Sequence, residues 1–303
     1  MEARVRRDRL YDRIAHAGLL LLSIWALVSA GTYLFVVYRT LGYPFELEWM
    51  EGGTLDVVAR IHADEQIYRS PSLEYVAYLY TPFYYFASAA SASVFGIGPV
   101  SARLVSLAAT LGTVAVLYLL VRHETKSHAW GLVGAGLFLA TYDASGKWFH
   151  LARVDNLALF GTVAAFALMR VASGWRSALA AGALAWLGVF TKQTMFVPVV
   201  LFLTAAILAD RRRGRTASVT CGALCVLTFL AFEITSDRWF SYYAFWLPTF
   251  HPSDAAWARH FFQADIPILW PVAVIGVAWL AITARRDWRK ACLLYTSPSP
   301  RDH

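Results

Sequence analysis

Ala17-Gly-Leu-Leu-Leu-Leu-Ser-Ile-Trp-Ala-Leu-Val-Ser-Ala-Gly-Thr-Tyr-Leu-Phe-Val-Val37 is an unbroken apolar run without a charged side chain. At about 1.5 Å of rise per residue, such a run is long enough to cross ~30 Å of hydrocarbon as a helix. Arg4, Arg6, Arg7, Arg9 and Arg13 stand before it. Basic residues beside a first span hold that end in the cytoplasm. Val28-Ser29-Ala30 has the small-residue spacing of a signal-peptidase site, but the apolar run continues past it, so an uncleaved span is expected.

The remainder repeats this pattern. Of 303 residues, 58% are hydrophobic and 16% charged, and the mean hydropathy is +0.49. Soluble domains stand near roughly 45–50% and 25%. Further apolar runs lie at 79–95, 101–121, 129–149, 155–171, 177–191, 194–209, 217–234 and 266–284. The expected architecture is therefore all-α, a polytopic transmembrane helical bundle forming one domain over 1–291, with about eight to nine spans. The net charge of +7 comes from arginines clustered between apolar runs, which marks topology rather than nucleic-acid binding. Cys221 and Cys225, one helical turn apart, read as small packing residues and not as a disulfide framework. From Cys292 to His303 the chain resembles translated sequencing-adapter read-through. The tail 292–303 is expected to be non-native and the fold truncated at its C-terminal end.

Loop charges assign the sides. Arg211-Arg-Arg-Gly-Arg215 and Arg285-Arg286-Asp-Trp-Arg289-Lys290 mark the inside, and Arg170 with Arg176 mark it more weakly. Alternation then puts Asp155, the turn at Lys192, a first loop over 38–78 and a second over 235–265 outside. Three apolar runs separate the first loop from Asp155, where an even number of crossings is needed. The basic stretch Arg122-His-Glu-Thr-Lys126 prefers the inside, so 101–121 and 129–149 cross. The run 79–95 is then expected to be an interfacial or re-entrant helix.

The first outer loop carries Glu46-Leu-Glu48-Trp-Met-Glu51-Gly52-Gly53. In a helix Glu48 and Glu51, three apart, would share a face. Two such carboxylates suit a divalent cation or a general base acting on a hydroxyl; the alternative is a solvated acidic loop. Gly52-Gly53 allows a tight turn or close approach of a ligand. Leu55, Val58, Ala59 and Ile61 form the apolar stripe of an amphipathic helix on the outer interface. Gln66-Ile-Tyr68-Arg69-Ser-Pro71 reads as extended, and Thr81-Pro82 opens the next helix.

A second polar group, Lys147, His150, Arg153 and Asp155, sits at the outer end of a span. Asp155 either caps the next helix or faces the first loop. Lys192, in Thr191-Lys192-Gln193-Thr194, either snorkels to the interface or holds a phosphate. His251 and His260, in the second loop, are exposed side chains or metal ligands. The sequence has no P-loop, GxGxxG, HExxH or CxxC pattern, which leaves nucleotide-driven chemistry without support.

In order, the motifs are Glu48-Trp-Met-Glu51-Gly52, Tyr80-Thr-Pro-Phe-Tyr-Tyr85, Phe95-Gly-Ile-Gly-Pro-Val-Ser-Ala-Arg103-Leu-Val-Ser106, Leu151-Ala-Arg153-Val-Asp155 and Gly188-Val-Phe-Thr191-Lys192-Gln193-Thr194. This order resembles the GT-C membrane glycosyltransferases over about residues 10–210, in particular the family 39-like group related to protein mannosyltransferases and aminoarabinose transferases. The resemblance implies an inverting transferase in the bacterial plasma membrane. It would move a hexose or pentose from a polyprenyl-phosphate donor to a lipid, glycan or protein acceptor on the extracytoplasmic face. It also implies catalytic roles for Glu48, Glu51 and Asp155, and substrate contacts from Arg153, Lys192, Glu46 and Tyr68. A divalent metal would be held by Glu51 and His251. Met50 stands where the family's first acid of an adjacent pair is usual, which leaves open which glutamate is the base. Rival functions with the same carrier lipids are a polysaccharide polymerase, ligase or flippase. A transporter would show broken helices in two matching halves, and no such repeat is present.

Overall fold

A computed structural model of the chain describes residues 2–250 and 255–265. The run 266–284, His251 and the tail 292–303 lie outside the described residues. The principal helices are α1 (Glu2–Thr40), α2 (Met50–His62), α3 (Phe83–Phe95), α4 (Pro99–Thr125), α5 (His128–Ala140), α6 (Asp155–Val171), α7 (Trp175–Thr191), α8 (Phe196–Ala209) and α9 (Arg211–Thr235). No strand occurs among the described residues. Short helical turns follow α9 from Trp239 to Phe250.

Within the described residues, Ala17–Thr40 of α1, all of α4 and all of α9 are long and apolar enough to cross a membrane unaided. The other helices are shorter. At 13 residues, α3 rises only about 20 Å, less than the hydrocarbon thickness.

Several boundaries differ from the sequence expectation for local reasons. The run 129–149 is helical only as far as Ala140; turns follow, and Gly146 and Lys147 both take positive φ, which an α-helix cannot accommodate. Arg211–Arg215 is not a loop but the opening of α9. The Asp210 carboxylate caps that helix by accepting from the Arg212 and Arg213 amides. The amphipathic stripe of α2 is buried through Met50, Thr54, Val57 and Val58, while Ala59 is exposed. Glu48 lies before α2, so it does not share a helical face with Glu51. Pro82 stands at the N-cap of α3, a position that needs no intrahelical amide donor.

The helices pack in the order α1, α5, α4, α6, α7, α9, α8, with α3 against α4 and α2 against α3. Antiparallel α6 and α7 are 17 residues each, so the start of α6 and the end of α7 return to the same level. The start of α4 and the end of α1 reach that level too. Every candidate residue described below gathers at this end.

Contact between α6 and α7 relies on small residues, which let backbones approach where lipid supplies no hydrophobic drive. A Cβ on Gly161 would stand 2.8 Å from the Gly188 amide nitrogen and 2.8 Å from the Leu184 carbonyl. Gly161→Val should therefore cost about 1–3 kcal/mol through overpacking and lower the Tm of the detergent-solubilised protein. Gly31→Ala, which meets open space, should leave Tm unchanged or higher. Equal Tm for Gly161→Val and wild type would refute this close approach.

Candidate active site

Arg103 begins the chemistry. It lies three residues inside an apolar helix-forming run, and an arginine there must find partners within the protein. Its side chain is fully buried. Nε donates to Glu51 Oε1 at 2.9 Å and Nη2 donates to Glu51 Oε2 at 2.7 Å. Nη2 also reaches the Phe45 carbonyl at 2.8 Å. Nη1 donates to the carbonyls of Tyr43 (2.6 Å), Thr40 (3.1 Å) and Leu41 (3.4 Å). One guanidinium thus gathers the C-terminal carbonyls of α1, the turn after them and the first turn of α2. The negative end of the α1 dipole favours a cation there.

Glu51 is equally committed. Besides the two Arg103 bonds, Oε1 accepts from the Ala152 amide at 2.9 Å and Oε2 from the Leu47 amide at 2.7 Å. Four donors fill the roughly four lone-pair sites of a carboxylate. Burial alone would raise the Glu51 pKa. Hydrogen bonds from Arg103 and from the Leu47 and Ala152 amides, with the Arg103 charge, outweigh burial and hold it below the usual carboxylate value.

Polar residues along the inward face of α4 fix the loop before α6. Thr110 donates to the Phe149 carbonyl and Ser106 to that of Arg153. From α2, Thr54 donates to the Ala152 carbonyl. His150 is buried beneath, with Nε2 2.8 Å from Thr40 Oγ1. Burial, reinforced by the Arg103 charge and only partly opposed by Glu51, pushes the His150 pKa down to about 4.

Above this floor runs a line of alternating charge. Glu48 Oε1 lies 2.9 Å from Arg153 Nη1, and Arg153 Nε donates to Asp155 Oδ2 at 3.0 Å. Asp155 Oδ1 accepts from Lys192 Nζ at 2.6 Å. The second Glu48 oxygen accepts from the Met50 amide at 3.0 Å. The Arg153 guanidinium stacks on Trp148 at 3.8 Å, and Lys192 sits 5.6 Å from the Tyr80 ring. Asp155 is the first residue of α6 but does not cap it; both its oxygens face cations. Three side chains of this line are partly open, at 13% for Glu48, 26% for Asp155 and 20% for Lys192, whereas Arg153 is buried at 7% and Glu51 at zero.

Glu48, Arg153, Asp155 and Lys192 are thus brought together, with Glu51 one layer below. Glu46 is exposed, lays its carboxylate over Gly52 and makes no ion pair with a described residue. Tyr68 is buried apart from the line, and its hydroxyl donates to the Tyr80 carbonyl. Among the described residues no group of three or more His, Cys, Asp or Glu side chains is placed to hold a metal ion. Glu51, saturated by N–H donors, does not fit as a ligand.

The sequence reading gave no role to Arg103. The signal was present: Arg103, Ser106, Thr110 and Thr113 recur at three- and four-residue spacing in an apolar run, and all are buried. Such a polar stripe in a span faces protein rather than lipid.

This helical membrane chain, with its charged line at one end of the bundle, is a membrane glycosyltransferase of the GT-C type. It belongs to the dolichyl-phosphate-mannose-protein mannosyltransferase family, whose model matches residues 80–236, just over half the chain. That stretch holds Arg103, Arg153, Asp155 and Lys192 but not the acidic first loop. No curated protein and no solved structure matches the chain.

Two outcomes follow for stability. Glu51→Gln or Arg103→Gln leaves one charge or one set of buried donors unpaired and should cost about 3–5 kcal/mol, whereas Glu48→Gln, at a partly open position, should cost far less. Thermal unfolding of the three variants checks the order, and a Glu51→Gln protein as stable as wild type would sink it. His150 has a folded pKa below its ordinary 6.5, so the unfolded chain takes up its proton first. Its contribution is present above pH 6.5 and lost as the pH falls toward about 4. His150→Gln should flatten that part of the stability–pH curve.

Proposed function

We propose that this protein transfers a sugar from a polyprenyl-phosphate donor to an acceptor hydroxyl at the extracytoplasmic face, inverting the anomeric carbon. The observation that carries the proposal is the Glu48–Arg153–Asp155–Lys192 line, in which two carboxylates and two cations alternate at a partly open surface. The loop charges of the sequence support the outer side for it.

In this proposal the donor's phosphate competes with the carboxylates for Lys192 and Arg153. Lys192 offers a compact point charge and Arg153 a planar fork. Drawing Arg153 toward phosphate loosens its bond to Glu48 and frees a carboxylate oxygen beside the new ligand. Glu48 then accepts the proton of the acceptor hydroxyl as that oxygen bonds to the anomeric carbon. The bond from the anomeric carbon to the phosphate oxygen breaks, and its electron pair leaves on the polyprenyl phosphate. Lys192 and Arg153 stabilise that charge. Asp155 keeps both cations aimed, and Glu51 with Arg103 supports the loops that carry them. Glu46, exposed beside α2, contacts the acceptor in this scheme. Tyr68 acts through Tyr80, whose carbonyl it holds.

Glu48→Gln should lower transfer by on the order of 100-fold or more with normal membrane insertion. Lys192→Ala should chiefly raise KM for the donor, and Asp155→Asn should impair both constants. An in vitro assay on the membrane-embedded protein with a panel of polyprenyl-phosphate sugars measures all three. Wild-type turnover in Glu48→Gln would remove the base assignment.

A further inference from the structure

The opposite end of the bundle carries a groove of about 450 Å³ lined by Leu119, Arg122, His123, Lys126, His128 and Val171. We propose that this groove binds the headgroup of an anionic phospholipid, with the acyl chains descending along α4 and α6. The site lies outside the proposed transfer chemistry and does not depend on it.

Position comes first. Arg103 and Arg122 lie on the same continuous helix, α4. Their 19-residue separation rises about 28 Å, close to the thickness of the hydrocarbon layer. With Arg103 at one membrane surface, the groove stands at the other. Trp130 on the first turn of α5 and Trp175 at the start of α7 are both exposed at that level, as tryptophans at a membrane interface are.

Charge comes second. The acid beside the groove, Glu124, is already engaged: it accepts from Arg170 at 2.8 Å and lies 3.6 Å from His123. His128 is committed to the Tyr118 hydroxyl at 2.7 Å. The Arg122 and Lys126 side chains make no hydrogen bond or ion pair with a described residue. Two uncommitted cations, one a fork and one a point charge, thus flank a concave space and call for an anion.

The apolar lining selects a lipid over a free ion. Leu119 is 54% exposed and Val171 is 43% exposed, and both line the groove. A phosphate ester with chains attached satisfies the cations and covers these side chains together. The volume falls within the roughly 300–1,000 Å³ of small-molecule sites.

Native mass spectrometry of the full chain, released from detergent doped with a defined lipid, tests this. Wild type should retain phosphatidylglycerol and not phosphatidylcholine. Removing each cation should weaken retention about fivefold, so Arg122→Gln/Lys126→Gln should lose on the order of 30-fold. Arg122→Lys/Lys126→Arg should retain the lipid and report that the bundle is intact. If the double glutamine variant fails to fold, the single variants carry the same comparison. Equal retention of the two lipids by wild type, or unchanged phosphatidylglycerol binding in the glutamine variants, would overturn the site. Displacement of the lipid by glycerol phosphate at equal concentration would make it a free-anion site and overturn the lipid assignment.

Discussion

The Arg103–Glu51 pair is the constraint on which the rest of the charged end of the bundle depends. Both side chains are wholly excluded from solvent, and each uses its full hydrogen-bonding capacity. Removing two charges from water costs several kcal/mol per ion and is offset only when the geometry is close to ideal. Here the bidentate contact, two amide donors and four backbone carbonyls supply that geometry. Because those carbonyls belong to the end of α1 and the following turn, and the amides to 47 and 152, one ion pair ties three chain segments to α4. Local propensity alone would leave the segment between α1 and α2 with few reasons to hold one shape.

From this floor the upper layer inherits its positions. Ala152 donates to Glu51, and the next residue, Arg153, is thereby aimed at Glu48 and Asp155. Lys192 arrives independently, because α6 and α7 match in length and the second returns to the level where the first began. The two layers differ in what they can do. Glu51 has no free lone pair and no solvent contact, so changing its partners would dismantle the loops around it. Glu48 has one backbone donor and one cation, and it is partly open. A carboxylate that exchanges one partner during a reaction has to belong to the second kind.

Much of the framework was legible in the sequence, because apolar length and loop charge are local signals. The run 17–37, the polar stripe from Arg103 to Thr113, and the positions of Arg153, Asp155 and Lys192 can all be read within single segments. The division of labour between Glu48 and Glu51 cannot. It is set by which carboxylate meets a guanidinium 52 residues away and an amide 101 residues away, information no window carries. The end of α5 at Ala140 was not hidden in this way: Asp143, Ser145, Gly146 and Lys147 interrupt the apolar run 129–149, and the backbone there turns to deliver Phe149 and His150 to α4 and α1. Arg211–Arg215 misled because charge marks a membrane boundary without saying whether the boundary is loop or helix.

In the proposed reaction, the charge count of this cluster constrains how an anionic donor would be recognised. Arg103 with Glu51 sums to zero, and so do Arg153 and Lys192 with Glu48 and Asp155. A neutral cluster exerts little long-range pull on a phosphate. In the proposed reaction, capture by that cluster would therefore work at contact range, through exchange of one oxygen partner for another at Lys192 and Arg153. Such exchange is least costly where the displaced carboxylate can be rehydrated or can take up a proton. Glu48 and Asp155 are partly open, but Asp155 is held by two cations and Glu48 by one. The weaker tether lies at Glu48, so in the proposed reaction the arrival of a phosphate and the release of a base would be the same event.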